Sequence, residues 1–422
     1  MSSLPVLREH HEDLFATYSA VRRTTESLCA PLQIDDYQLQ AAPDASPPKW
    51  HLAHVTWFFE TFLLIPYLRS YAPFDARFGH LFNSYYVSVG SVHPRSERHA
   101  LSRPTVEEVY RYRSHVDRHM GELLAAARGS MAAELLARLT LGLNHEQQHQ
   151  ELLVMDIKRN FFANPLLPAY RARTPPPPVR EAALMRWIER PSGVREIGHA
   201  GSGFAFDNER PRHRAFVGEH RLGSRLITNG EYLEFVESGG YGRPDLWLSD
   251  GWTAIQSRGW TAPLYWRREA SGWHEFTLDG LRPIEHEAPV CHVSHYEADA
   301  YARWRGARLP FEAELELAGM EVPVEGNFLE SDALHPRPAE CGEGQWHGDA
   351  WEWTGSAYLP YPGFRPLAGA LGEYNGKFMA NQMVLRGGCC ATPRSHMRPT
   401  YRNFFYPHDR WAFTGIRLAA DA

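Results

Sequence analysis

The string Asn144-His145-Glu146-Gln147-Gln148-His149-Gln150-Glu151 carries the densest chemistry in the chain. Residues four apart on a helix lie one above the other on one face, so His145 and His149 can reach a single metal ion. A third ligand must come from another helix. The segment Trp50-His51-Leu52-Ala53-His54 offers two candidates, His51 and His54. His145 to His149 also fits HExxH, in which Glu146 would activate a zinc-bound water for peptide hydrolysis. The downstream Gly-x-x-His of one zincin branch is missing, and Glu151 stands two residues past His149 on a different face. A zinc metallopeptidase is therefore a minor rival. The plain alternative is a pair of polar histidines at a helix seam. It loses ground because a second His-bearing segment has a similar apolar face, and bundles build metal sites from facing helices.

Helices must position these groups. Apolar residues recur three and four apart through 8–29, 50–70, 106–126 and 132–158, which predicts four amphipathic helices in an antiparallel bundle. Then comes Ala172-Arg-Thr-Pro-Pro-Pro-Pro-Val179. Four consecutive prolines cannot continue a helix and favour extended backbone. The expected organisation is a helical domain over 1–168, a Pro-rich linker over 169–182 and a second domain over 183–422. Past the linker Gly, Pro and Trp become frequent and apolar runs shorten. Short strands are expected at 194–198 and 215–218, helices at 295–305 and 311–319, and the remainder is mostly irregular. The class is α+β.

Composition sets limits on function. The chain has 422 residues, more than one ordinary domain needs, and 13 Trp, 19 Tyr and 21 Phe supply packed cores rather than disorder. Lys and Arg number 44 against 50 Asp and Glu, a balance of −6 that argues against a nucleic-acid partner. Cys29, Cys291, Cys341, Cys389 and Cys390 are odd in number and form no CxxC pair, which speaks for a reducing compartment. The first residues, MSSLPVLREHHEDLF, lack a signal peptide's apolar core, and no run of 18 apolar residues occurs. The expectation is a cytoplasmic protein with no membrane or nucleic-acid partner, a monomer or small homo-oligomer.

Several motifs occur together in a fixed order: Trp50-His-Leu-Ala-His54, the HxxxHxE string from His145 to Glu151, Gly306-Ala-Arg-Leu-Pro310, Gly348-Asp-Ala-Trp-Glu-Trp353, Leu385-Arg-Gly-Gly388, Tyr401-Arg-Asn-Phe-Phe405 and Phe413-Thr-Gly-Ile-Arg417. With them the chain resembles the ergothioneine-biosynthesis sulfoxide synthases, the EgtB family. The resemblance spans nearly the whole chain. It implies a DinB-like four-helix bundle followed by a formylglycine-generating-enzyme-type domain related to C-type lectin folds. It also implies an active site between the two, with Fe(II) on His54, His145 and His149. His51 and Glu151 become neighbours of the ligands, although His51 can equally be a polar residue at a helix start.

By the same resemblance the substrates are hercynine, cysteine and O2, and the product is a hercynylcysteine sulfoxide. Tyr85 and Tyr86 are candidates to give a proton to reduced oxygen; both can instead be packing residues. Arg95, Arg98 and His99 match the region that holds the thiol substrate's carboxylate, which suits the planar guanidinium fork. Gln148, Asn403 and Phe404 match the hercynine side, where an aromatic face can meet the trimethylammonium group. Family members that use γ-glutamylcysteine carry Asp where this chain has Phe405, so free cysteine is the expected donor. Cys389-Cys390 are expected to be structural. A selenoneine synthase taking a selenosugar is the nearest rival within the superfamily.

Overall fold

A computed structural model describes residues 4–127, 129–172, 182–340 and 344–422, and the side chains of the same residues except 4–13 and 129–132. The heart of the expected linker, 173–181, and Cys341 lie outside the described residues. The chain forms two compact units, one of Met1–Asn164 with Ala368–Tyr374, the other of Pro165–Leu367 with Asn375–Ala422. Composition groups 368–374 with the second domain, yet this short strap clusters with the helices.

The first unit holds α1 (Leu4–Cys29), α2 (Pro48–Phe59), two short pieces α3 (Ile65–Tyr67) and α4 (Phe78–Leu81), then α5 (Val106–Ala126) and α6 (Gly129–Phe162). The expected helices at 8–29, 106–126 and 132–158 correspond to α1, α5 and α6. The expected helix at 50–70 is α2 running through one π-helical turn at Glu60–Leu64 into α3. Pro48 starts α2, because its fixed φ suits the first turn and no partner is needed there for its missing N–H. All 12 residues of α2 are buried, as expected of a helix packed on several sides. It lies against both α5 and α6, and α1 lies against the same two helices. A reciprocal cap sets the start of α5: Thr105 Oγ1 accepts from the Glu108 N–H at 3.2 Å, and the Glu108 carboxylate accepts from the Thr105 N–H at 2.7 Å.

The second unit holds α7 (Asn229–Glu237), α8 (Ser249–Arg258), α9 (His295–Trp304) and α10 (Glu312–Met320) among small sheets. The expected strands pair antiparallel with each other as 193–197 and 213–217. The part expected to be irregular contains more order than that. One sheet runs 403–405, 383–386, 351–357, 414–415, with a parallel pairing only at its last step. A second joins 187–190, 220–223 and 419–421, and a third is the meander 266–269, 272–277, 280–283. These strands escaped notice because they are short and lack clean alternation; residues 351–354 are buried in succession.

The motifs of this unit are explained by its core. Arg417 reaches Glu352 at 2.7 Å, Arg386 reaches Glu316 at 2.8 Å, and Arg402 reaches Glu312 at 2.9 Å. All three arginines are buried, so each carboxylate is the condition for burying the guanidinium. Gly348 has φ of +80°, and a Cβ there would lie 2.6 Å from the Asn327 carbonyl oxygen, so only glycine fits. Cys389 and Cys390 are fully buried in the same region.

Candidate metal centre

Helix α6 presents His145 and His149 on one face, with ring centroids 4.7 Å apart. Helix α2 brings His54 to them, its Nε2 lying 3.2 Å from His145 Nε2. One nitrogen from each ring lies within 4.8 Å of the others, and all three residues are buried. Burial is the main reason that all three resist protonation. It takes His145 down to about 3, and His54 and His149 fall well below the ordinary imidazole range, helped by their mutual proximity. Neutral imidazoles with free lone pairs are what a metal requires.

The hydrogen bonds fit the same purpose. His54 Nδ1 lies 2.6 Å from the Phe82 carbonyl oxygen and must donate to it, which leaves Nε2 as a bare lone pair. His145 Nδ1 is buried without a hydrogen-bond partner among the described residues. If His145 Nε2 is bare as well, two lone pairs face each other at 3.2 Å, and a cation between them removes that conflict. The His54 ring is stacked against Trp50 at 4.5 Å and Trp57 at 5.6 Å, so its plane is fixed. Of the two α2 candidates, His54 therefore joins the cluster. His51 stands behind it, with Nδ1 2.9 Å from His149 Nδ1 and Nε2 3.0 Å from Asp156 Oδ2.

Glu146 faces the other way. One oxygen accepts from Arg22 at 2.9 Å, and the other from Thr25 Oγ1 at 2.7 Å and Arg113 at 3.2 Å. Burial alone would raise its pKa, but the two guanidiniums outweigh burial and hold the carboxyl below its usual range. A carboxylate consumed in this way cannot activate a metal-bound water, which removes the peptidase reading. Adjacent positions on a helix differ by about 100°, so the divergence of His145 and Glu146 was open to reading from the sequence.

The remaining expected residues are distributed as follows. Glu151 is buried on α6. Gln148 accepts a hydrogen bond from the Tyr374 hydroxyl, and the Tyr374 ring lies 5.6 Å from that of His145. Tyr374 was missed by sequence reasoning, since it follows α6 by more than two hundred residues and belongs to no periodic segment. Tyr85 stacks on Tyr86 at 4.7 Å and reaches the Tyr374 ring edge at 6.3 Å. Tyr86 is packed against Trp57 and Phe62. Arg98 is buried with its guanidinium 3.3 Å from the Trp50 ring centroid, held by Ser46 and Ser84 hydroxyls at 2.7 and 3.1 Å. Its Nε has no hydrogen-bond partner among the described residues. Arg95 and His99 are exposed, and His99 Nδ1 bonds the nearby Ser96 carbonyl, so neither joins Arg98 in the buried cluster. In the second unit Asn403, Phe404 and Phe405 form an edge strand. Phe404 stacks on Tyr358 at 4.1 Å, and Phe405 meets Trp411 edge-on at 5.7 Å.

Residues 17–153 match the model of the DinB superfamily, and 180–337 with 325–422 match that of the sulfatase-modifying factor enzyme 1-like domain. The chain is 32% identical over 424 residues to the hercynine oxygenase of Mycolicibacterium thermoresistibile, covering 92% of this chain and 91% of that one. The chain belongs to the EgtB family. Another EgtB-type relative, the hercynine oxygenase of Mycobacterium tuberculosis, is 35% identical over 305 residues, 66% of this chain and 70% of that one. The formylglycine-generating enzyme of Streptomyces coelicolor is 27% identical over 311 residues, covering 60% of this chain and 94% of its own. The three-histidine cluster, whose geometry could hold a metal ion, lies entirely within the stretch that matches the DinB superfamily. No helix among the described residues is long and apolar enough to cross a membrane.

Proposed function

We propose that this chain is an Fe(II)- and O2-dependent sulfoxide synthase that joins the sulfur of cysteine to the imidazole C2 of hercynine. The observation that carries the reading is the convergence of His54, His145 and His149, buried and neutral, in a chain of the EgtB family. The balance is one C–H, one S–H and O2 giving one C–S(=O) and water. Two electrons come from C–S bond formation and two from oxidation of sulfur. His54, His145 and His149 would hold Fe(II) as three neutral ligands, which would leave the ion its full charge to favour an anionic thiolate and to supply the redox chemistry for O2.

The chain's own groups account for orientation and protons. Arg98 is a buried cation whose pKa burial, and then Arg95, push well below its ordinary value, so an arriving carboxylate would relieve it. That suits the carboxylate of an amino-acid thiol. Burial raises the Tyr85 and Tyr86 phenols, which keep their protons at neutral pH. Tyr374 shares this corner through Gln148, so the proton for reduced oxygen has three candidate sources. Asn403 and Phe404 are assigned to the betaine by their match to the family's motif, and Phe405, lacking a carboxylate, favours cysteine over γ-glutamylcysteine.

The test is mass spectrometry of an aerobic reaction of the protein with Fe(II), hercynine and cysteine. The expected result is an O2-dependent hercynylcysteine sulfoxide, lost when His54, His145 or His149 becomes Ala. Hercynine left untouched with cysteine and with γ-glutamylcysteine would overturn the donor assignment and make a selenosugar the next substrate to test.

A further inference from the structure

The three candidate ligands are backed differently on the side away from the cluster. His54 is backed by a neutral carbonyl, that of Phe82, and His145 Nδ1 has no partner among the described residues. Behind His149 stands a chain of two buried groups, His51 and Asp156. Asp156 lies seven residues after His149 on α6, two helical turns along the same face. Its Oδ2 accepts from the Ser46 backbone N–H at 2.8 Å and lies 3.0 Å from His51 Nε2.

The direction of this chain follows from donor and acceptor counting. A carboxylate oxygen only accepts, so the proton of neutral His51 sits on Nε2. His51 Nδ1 is then a lone pair, 2.9 Å from His149 Nδ1, and can be satisfied only if His149 carries its own proton on Nδ1. That leaves His149 Nε2, the nitrogen not turned to His51, bare and available to the cluster. Reversal of the His51 ring proton would reverse the whole sequence: His51 Nδ1–H would donate to His149 Nδ1, and His149 would hold its proton on Nε2, where a metal must bind.

We infer that Asp156 is a positioning residue that, through His51, fixes the tautomer of His149 and keeps its Nε2 free to bind a metal. This rests on the metal reading of the histidine cluster, but not on which reaction follows. Outer partners of this kind are worth about 10–100-fold in metal affinity.

The experiment uses the full chain with 15N-labelled histidine, free of metal, and reads each ring's tautomer from long-range 15N–1H correlations. In the unaltered protein His149 should carry its proton on Nδ1 and His51 on Nε2; a His149 proton on Nε2 would overturn the inference before any variant is made. Asp156→Leu should shift His149 toward the Nε2–H form and weaken Zn(II) binding, measured by chelator competition, about 10–100-fold. Asp156→Asn, which keeps an oxygen acceptor, should retain the tautomer and most of the affinity. A loss of affinity in Asp156→Leu with the His149 tautomer unchanged would reduce Asp156 to a structural role and defeat the proposal. Should Asp156→Leu fail to fold, the unaltered protein and Asp156→Asn still decide, because either showing His149 protonated on Nε2 defeats it. Failure of the hercynine assay alongside the expected tautomers would sink the proposed reaction and leave this inference standing.

Discussion

Neighbouring side chains in the bundle do different jobs. His145 and Glu146 are neighbours, yet one faces the histidine cluster and the other lies between Arg22 and Arg113. Glu146→Gln removes the fully buried carboxylate that Arg22 and Arg113 share and leaves them only the more exposed Asp117 and Glu26, so a loss of about 1–3 kcal/mol in denaturant unfolding is expected. Folded Glu146→Gln protein should still bind one equivalent of metal; loss of metal with stability intact would contradict the assignment. The histidines give the metal-free protein a pH dependence with a definite sign. His145 falls from an ordinary 6.5 to about 3, so the unfolded chain binds its proton more readily. Stability from this group is complete above pH 6.5 and is lost as pH falls toward 3. Unfolding midpoints measured across that window should decline on acidification, and less steeply in His145→Gln. A flat profile would mean that the ring is not buried in the metal-free state.

At the scale of elements, the strap 368–374, mostly one short 3-10 helix, brings Tyr374 beside His145. Glu373 accepts from the Val87 and Ser88 N–H groups at 3.0 and 2.9 Å, fastening the strap to the loop that carries Tyr85 and Tyr86. Tyr374, the next residue, bonds Gln148 on α6. One carboxylate thus ties together the two segments that bring phenols to the cluster. Glu373→Ala should lower kcat about tenfold or more through misplaced phenols, a loss on the order of one hydrogen-bond energy or two. Metal affinity should stay within about twofold, since none of the three ligands is held by the strap. Steady-state kinetics beside a metal titration checks this, and an unchanged kcat would show that the strap does not position the phenols.

Across the whole molecule, the work is divided between the two units. The three proposed metal ligands all come from the first, while the motifs that distinguish the second are largely a buried ionic frame of Arg386, Arg402 and Arg417 with Glu312, Glu316 and Glu352. Glu352→Gln should therefore destabilise by about 3–5 kcal/mol in chemical unfolding, while metal content per folded chain stays stoichiometric. Metal lost in step with a native-like melt would show that the frame supports the centre directly. The long helices, the two-part organisation and the His-x-x-x-His pair were legible in the sequence, because helical periodicity and i,i+4 spacing are local properties of the chain. Apart from the pair expected at 194–198 and 215–218, the short strands of the second unit were not, since runs of a few residues without clean alternation carry little period to detect. The choice of His54 over His51 came from family likeness rather than from spacing. Only the tertiary structure decided the rest: that His54 faces His145 while His51 stands between His149 and Asp156, that Glu146 meets two arginines, and that Tyr374 joins the helices of the first unit. Each depends on which helix faces which and on where a distant loop returns. Those are non-local contacts, and spacing along one chain does not encode them.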